Sequence, residues 1–316
     1  MSITAPTPPA AAPGELDPQG VVLRFLESVG RPTETRFYLD LFRAKPREQF
    51  AAIAIDANVM RGAADAVALD LRFLAALGLF PTVVFGLLNA ASAPAHAARL
   101  GTALEAQGVH AVALSDGDTD LAGRTVDAAR KGRVPIVAFA PVEGQTPAER
   151  FDRLGSLLGG TLTRKLIFLH RPGGLRRDGA LIPLVSLSTD VAALLASRQL
   201  SRKETVILEQ TRRLAFDLAG QNLVAAVTSP LNLLRELFTV KGAGTLVRKG
   251  STISRHLRWD DVDRTSCGSW SRSRSPGRCS PTSSAGRCSR STSPTSIAAP
   301  RWSRRRRSRP TCRSSR

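Results

Sequence analysis

Cysteine is absent from the first 266 residues of this 316-residue chain. That absence excludes disulfide stapling of this part and fits a cytoplasmic protein. The four cysteines, Cys267, Cys279, Cys288 and Cys312, all fall in the last 52 residues, where no two form a CxxC pair and no histidine accompanies them. Ligand spacing and partners are both missing, so no metal site is expected. The same stretch, 265–316, lacks Asp, Glu, Lys, Leu, Val and Phe, and holds 16 Ser and 13 Arg. With so little apolar surface it cannot offset the entropy of ordering its backbone, so disorder is expected there. Residues 1–19, a Pro/Ala/Gly leader, have no positive charge after the amino terminus and no apolar core. They do not read as a secretory signal, and disorder is expected there too. Long hydrophobic runs are scarce. Phe73 to Ala95 carries no charge, but Gly78, Pro81, Gly86, Asn89 and Pro94 interrupt it. A helix end, a tight turn and a buried strand over 81–85 fit this run better than a membrane span.

The formal net charge is +19, and the tail's arginines leave +6 on residues 1–264. That is mild and demands no polyanionic partner. Roughly 245 residues lie between leader and tail, enough for one large domain or two small ones. After Gly30 and Pro32, which separate two short amphipathic stretches at 20–30 and 34–43, a regular alternation begins. Apolar runs at 51–55, 81–85, 109–114, 134–139, 165–169, 223–227 and 245–247 read as buried parallel strands. Helical periodicity fills 62–77, 93–107, 119–131, 147–158 and 203–219, with Asp118 or Asp120 placed to cap the third of these and Ser201 the last. Strands alternating with helices predict an α/β, three-layer αβα fold with a mainly parallel sheet, whose ligands bind at the carboxyl ends of the strands. The expected division is a leader at 1–19, a domain at 20–250 that opens with helices within 20–49, a linker at 251–264 and the tail at 265–316.

The run Ser229-Pro-Leu-Asn-Leu-Leu-Arg-Glu-Leu-Phe-Thr-Val-Lys-Gly-Ala-Gly-Thr-Leu-Val247 resembles the closing segment of the amino-acid-kinase domain found in acetylglutamate kinases and N-acetylglutamate synthases. Lys165 to Gly179 is similar to that family's strand and loop after the phosphate-binding half, and Ala76 to Gly86 to its second strand. The helices at 20–43 resemble the extension of bifunctional synthase/kinase members. The resemblance spans about residues 20–264 and implies an amino-acid-kinase fold.

Phosphoryl transfer to a carboxylate needs lysines against the developing charge and glycine turns that cradle phosphate. The family's first strand ends in Lys-x-Gly-Gly, where this chain has Ala54-Ile55-Asp56-Ala57. The second should end in His-Gly-Gly-Gly, and here it reads Phe85-Gly86-Leu87-Leu88. The Gly-Gly-Met-x-x-Lys element before the long helix appears as Arg202-Lys203-Glu204-Thr205-Val206-Ile207, with its lysine displaced. The resemblance therefore implies a kinase fold without kinase activity and without a cofactor. The alternative is a working acetylglutamate kinase that uses ATP, with Lys203, Arg202 and His170 supplying the charge. His170 and Arg171 follow a strand on the ligand-binding edge, though a solvated loop explains them equally well.

In arginine-sensitive relatives a glutamate and the glycines of the closing segment help hold arginine, and Glu236, Gly242 and Gly244 match those positions. Leu231 replaces a histidine common in the kinases. The plainer alternative puts Glu236 on a solvated helix face with the glycines capping that helix. Such relatives usually self-associate, so a homo-oligomer is expected. In the synthases an acetyltransferase domain follows. Serine codons of the TCN type, read one base earlier, become NTC codons for Phe, Leu, Ile or Val. Shifted in this way, Cys279–Trp302 can encode an apolar string that resembles that domain, so the tail reads as its out-of-frame remnant. The rival is a natural Arg/Ser tail that binds nucleic acid, with Trp270 and Trp302 stacking on bases. Scattered Cys and Trp without Lys or Gly repeats speak against it.

Overall fold

Ala52–Ile55 (β1) lies in the middle of the sheet, because it is apolar on both faces and every residue in it is buried. Its neighbours are parallel: Thr82–Phe85 (β2) on one side and Lys165–Leu169 (β5) on the other. A computed structural model, which describes Arg24, Glu27, Ser28 and residues 30–250, shows this arrangement. Beyond β2 come Val134–Ala138 (β4) and, at the edge, Ala111–Ser115 (β3). Beyond β5 lie Val224–Thr228 (β9), Thr245–Arg248 (β10) and Leu184–Ser186 (β8), while Arg176–Arg177 (β6) and Ala180–Leu181 (β7) pair in a separate hairpin. The eight-stranded sheet is parallel except where β10 runs against β9. The expected αβα architecture with a mainly parallel sheet is present.

The two-residue side-chain period of a strand divides β1 between two cores. Ile53 and Ile55 face Pro32–Arg43 (α1), Ala64–Ala76 (α3), Ala93–Glu105 (α4) and Leu233–Phe238 (α9). Ala52 and Ala54 face Pro147–Thr161 (α6), Val191–Ala196 (α7) and Arg202–Asp217 (α8). A six-residue helix, Ala57–Gly62 (α2), leaves β1, and Leu121–Arg130 (α5) joins β3 to β4. Phe42 stacks edge-on against Phe50 and Phe238, at 4.9 and 5.8 Å between ring centres, and so fixes α1 against α9.

Local signals in the sequence set the helix starts. Asp120 caps α5 by accepting from Gly123 N. Ser201 and Thr146 each form a full capping box, with Glu204 and Glu149 respectively. The uncharged run at 73–95 resolves into the end of α3, a turn at Gly78 with φ +77°, β2 and the start of α4. Among the described residues no helix is long and apolar enough to cross a membrane. The leader, most of the 20–30 stretch, the linker at 251–264 and the tail lie outside the described residues.

Candidate functional site

The chain goes from β1 to β2 on one side and reaches β5 on the other, which makes the carboxyl end of β1 the place where an open α/β sheet forms its crevice. Ala54, Asp56, Ala57, Gly86, Leu87, Leu88 and His170 all line it, joined by Phe168 and by Ile207 from α8. Phe85 does not. It points into the opposite core, where its ring lies 6.3 Å from that of His96.

The crevice is nearly filled. Its cavity measures about 20 Å³, room for about one water molecule and far below the ~300–1,000 Å³ of a ligand pocket. Leu87 is buried in the core shared with α6 and α8, in a position where the resemblance calls for a glycine. Gly86 keeps a glycine's role, with φ +95° and a Cβ position only 2.5 Å from the Phe139 carbonyl oxygen. Arg150, buried on α6, donates from Nε to the Leu87 carbonyl and from Nη1 to that of Gln145, each at 3.0 Å. The loop after β2 is thus pinned by an arginine that sequence reading passed over. Only its position in the first turn of a capped helix could have drawn attention to it.

An ion pair closes the crevice. Lys203 Nζ donates to both carboxylate oxygens of Asp56, at 2.9 and 2.8 Å. Asp56 is only 6% exposed. Burial pushes its carboxyl upward, but the His170 imidazole and the Lys203 ammonium outweigh this and hold it at about 2. His170 Nδ1 lies 3.7 Å from Asp56 Oδ2, too far for a hydrogen bond. That nitrogen is buried and has no hydrogen-bond partner among the described residues. The backbone of His170 is fixed by donation to the Thr228 carbonyl at 2.8 Å. His170 therefore belongs to the packed floor of the site, and the solvated-loop reading of it is corrected. Lys203, displaced along the sequence, still reaches the crevice, because the first turn of α8 lies over the end of β1.

Arg202 and Arg171 fall outside the crevice, on opposite sides. Arg202 borders a groove of about 420 Å³ with Arg150 and Lys203, and Arg171 borders one of about 460 Å³ with Arg61 and Ser229. Leu231 lines the second groove and is 83% exposed.

Glu236, Gly242 and Gly244 do come together, but not as an open pocket. Glu236 is 6% exposed, which corrects the reading of a solvated helix face. Its Oε2 accepts from the backbone of Ala243 at 2.8 Å and of Gly244 at 3.2 Å. Gly242 has φ +64°, and a Cβ there would sit 2.6 Å from Glu236 Oε2. The glycines let the loop close over the carboxylate, so that its charge is met by the protein's own N–H groups. Beside this loop, Arg31, Glu34, Arg235, Thr239, Val240 and Lys241 line a groove of about 580 Å³ between α1 and α9.

No family model matches the chain. Curated relatives do. An acetylglutamate kinase from Xanthomonas campestris is 27% identical, with 72% of this chain and 65% of the relative covered. The mitochondrial N-acetylglutamate synthase of Homo sapiens is also 27% identical, with 83% of this chain and 58% of the relative covered. The chain thus spans about two thirds or less of the length of these relatives. Among solved structures, N-acetylglutamate synthase from Neisseria gonorrhoeae with coenzyme A and N-acetyl-glutamate shares the fold, with a TM-score of 0.54 at 17% identity over 70% of this chain and 63% of that one. In sequence the chain is thus similar to acetylglutamate kinases and N-acetylglutamate synthases, and it shares its fold with a solved N-acetylglutamate synthase.

Proposed function

We propose that this chain carries the kinase-fold domain of an arginine-biosynthesis protein, that the domain no longer transfers phosphoryl groups, and that it serves regulation and self-association. The closed crevice supports this reading best. A phosphoryl-transfer site must neutralise several negative charges in a preorganised pocket. Here Asp56 adds a negative charge, Lys203 is held by it, and leucines stand where phosphate-cradling glycines are expected. Losing one comparable donor costs about a hundredfold or more in rate. Purified full-length chain, given ATP and N-acetylglutamate, should form no acyl phosphate above background.

A second reading, an active acetylglutamate kinase, draws on Lys203, a cation that does reach the crevice. Turnover in the same assay would establish it. For regulation, the neighbourhood of Glu236 is the candidate. A gonococcal N-acetylglutamate synthase of the same fold has been solved with L-arginine, and arginine is the effector proposed for this chain. Its place would be the groove between α1 and α9 rather than the buried Glu236 carboxylate itself. Residues 265–316 are read as an acetyltransferase segment in a shifted frame. An uninterrupted gene with no alternative open frame downstream of codon 264 would refute that.

A further inference from the structure

We propose that the crevice is an anion-binding site whose anion is the Asp56 side chain, with Lys203 as its ligand, His170 standing beside it just beyond hydrogen-bond reach, and a small phosphate or carboxylate as the external anion that it excludes. The proposal rests on the reading that this crevice does not transfer phosphoryl groups, and names why. Three observations carry it. Lys203 Nζ spans both Asp56 oxygens, at 2.9 and 2.8 Å, as it would span two oxygens of a bound anion. His170 Nδ1, buried and unpartnered among the described residues, stands 3.7 Å from the same carboxylate, one step beyond hydrogen-bond reach. A buried polar atom left unpaired carries a cost, and an anion wider than a carboxylate would reach it. The groove that continues outward from Lys203 is lined by Arg202 and Arg150 and holds no carboxylate. Without the Asp56 carboxylate, the Lys203 ammonium and a buried imidazole would flank the crevice, with Arg202 on the neighbouring groove.

The bland alternative is an ion pair that only stabilises the fold. The two are separated by titrating inorganic phosphate and pyrophosphate, at matched ionic strength, into full-length wild type, Asp56→Ala, Asp56→Asn and the Asp56→Ala/Lys203→Met double variant, read by calorimetry and by thermal shift. Wild type should bind neither anion saturably. Asp56→Ala should bind at least about tenfold tighter than wild type, as expected when a like charge leaves hydrogen-bonding distance of the anion. The double variant should lose that gain. Asp56→Asn keeps the side-chain volume and removes only the charge, so it should gain affinity too, though less. It provides the readout if the alanine variant does not fold. A folded Asp56→Ala or Asp56→Asn that binds phosphate no better than wild type, or a gain that survives loss of Lys203, would overturn the proposal. Phosphoryl transfer by the wild type would instead overturn the functional reading on which it rests.

Discussion

Lys203→Met should destabilise this protein more than Asp56→Asn, although the two changes break the same bond. The methionine leaves a 6%-exposed carboxylate without its bidentate partner. The asparagine leaves an ammonium group that is already 38% exposed and can turn to water. Asp56 is held at about 2 against an ordinary 3.8, and a gap of that size corresponds to ~2.4 kcal/mol at 1.36 kcal/mol per unit. That gap is what remains after burial, the largest influence, has pushed the other way. His170 supplies part of the opposing pull and the lysine, 38% exposed, is screened by solvent, which puts the cost of losing Lys203 at about 1–2 kcal/mol. Because the folded-state value is depressed, Asp56 contributes stability above pH 4 that is lost as the pH falls through about 2. Urea unfolding at pH 7 should therefore show Lys203→Met less stable than wild type by about 1–2 kcal/mol, and Asp56→Asn less stable by under about 1 kcal/mol. The penalty of Lys203→Met should shrink toward pH 3, where its Asp56 takes up a proton. Adding Asp56→Asn to Lys203→Met should restore part of the loss. Equal costs for the two single variants, or a lysine penalty that does not change with pH, would refute the reasoning.

Two further outcomes concern the partly buried Asp70 and the groove beside Glu236. Asp70 on α3 is pushed up to about 7 by burial, so the native state holds its proton more tightly than the unfolded chain. Its cost is absent below about pH 4 and grows until the pH passes 7, so Asp70→Asn should raise Tm at pH 8 and leave it nearly unchanged at pH 4. A Tm gain that is the same at both pH values would contradict this. Arginine at millimolar concentration should raise the Tm of the full-length protein by mass action on the folded state. Arg235→Ala, in the groove beside Glu236, should remove that gain, and an equal shift in wild type and variant would remove the groove from consideration.

The sheet was legible in the sequence because its central strands are short apolar runs buried on both faces. Seven strands stand where 51–55 and its successors placed them, although the edge strand Ala111–Ser115 is only partly buried and Thr245–Arg248 runs antiparallel to β9 rather than parallel. Asp120 and Ser201 announced helix starts because capping is a local hydrogen bond. What escaped was either too short or too distant. The hairpin of Arg176–Arg177 and Ala180–Leu181 has two residues per strand, all exposed, and so carries no burial pattern. Helices α2 and α9 are six residues long, too short for a 3.6-residue period to show which side is buried, which is why a solvated face for Glu236 stayed open as an alternative until the structure showed it buried. Asp56 stands where the resemblance calls for a glycine, which the sequence shows, but not what it pairs with. Its partner lies 147 residues away, and only the packing of α8 over the end of β1 brings Lys203 to it. Arg150 was invisible because its role is to hold a backbone carbonyl, which no residue pattern records.

The most direct measurement is phosphoryl transfer itself. Full-length protein, incubated with ATP and N-acetylglutamate and trapped with hydroxylamine, should yield no acyl hydroxamate above an enzyme-free control. Hydroxamate formed at about 1 s⁻¹ or faster, within the ordinary range of enzyme turnover, would show that the crevice opens and that the pairing of Asp56 with Lys203 does not silence it.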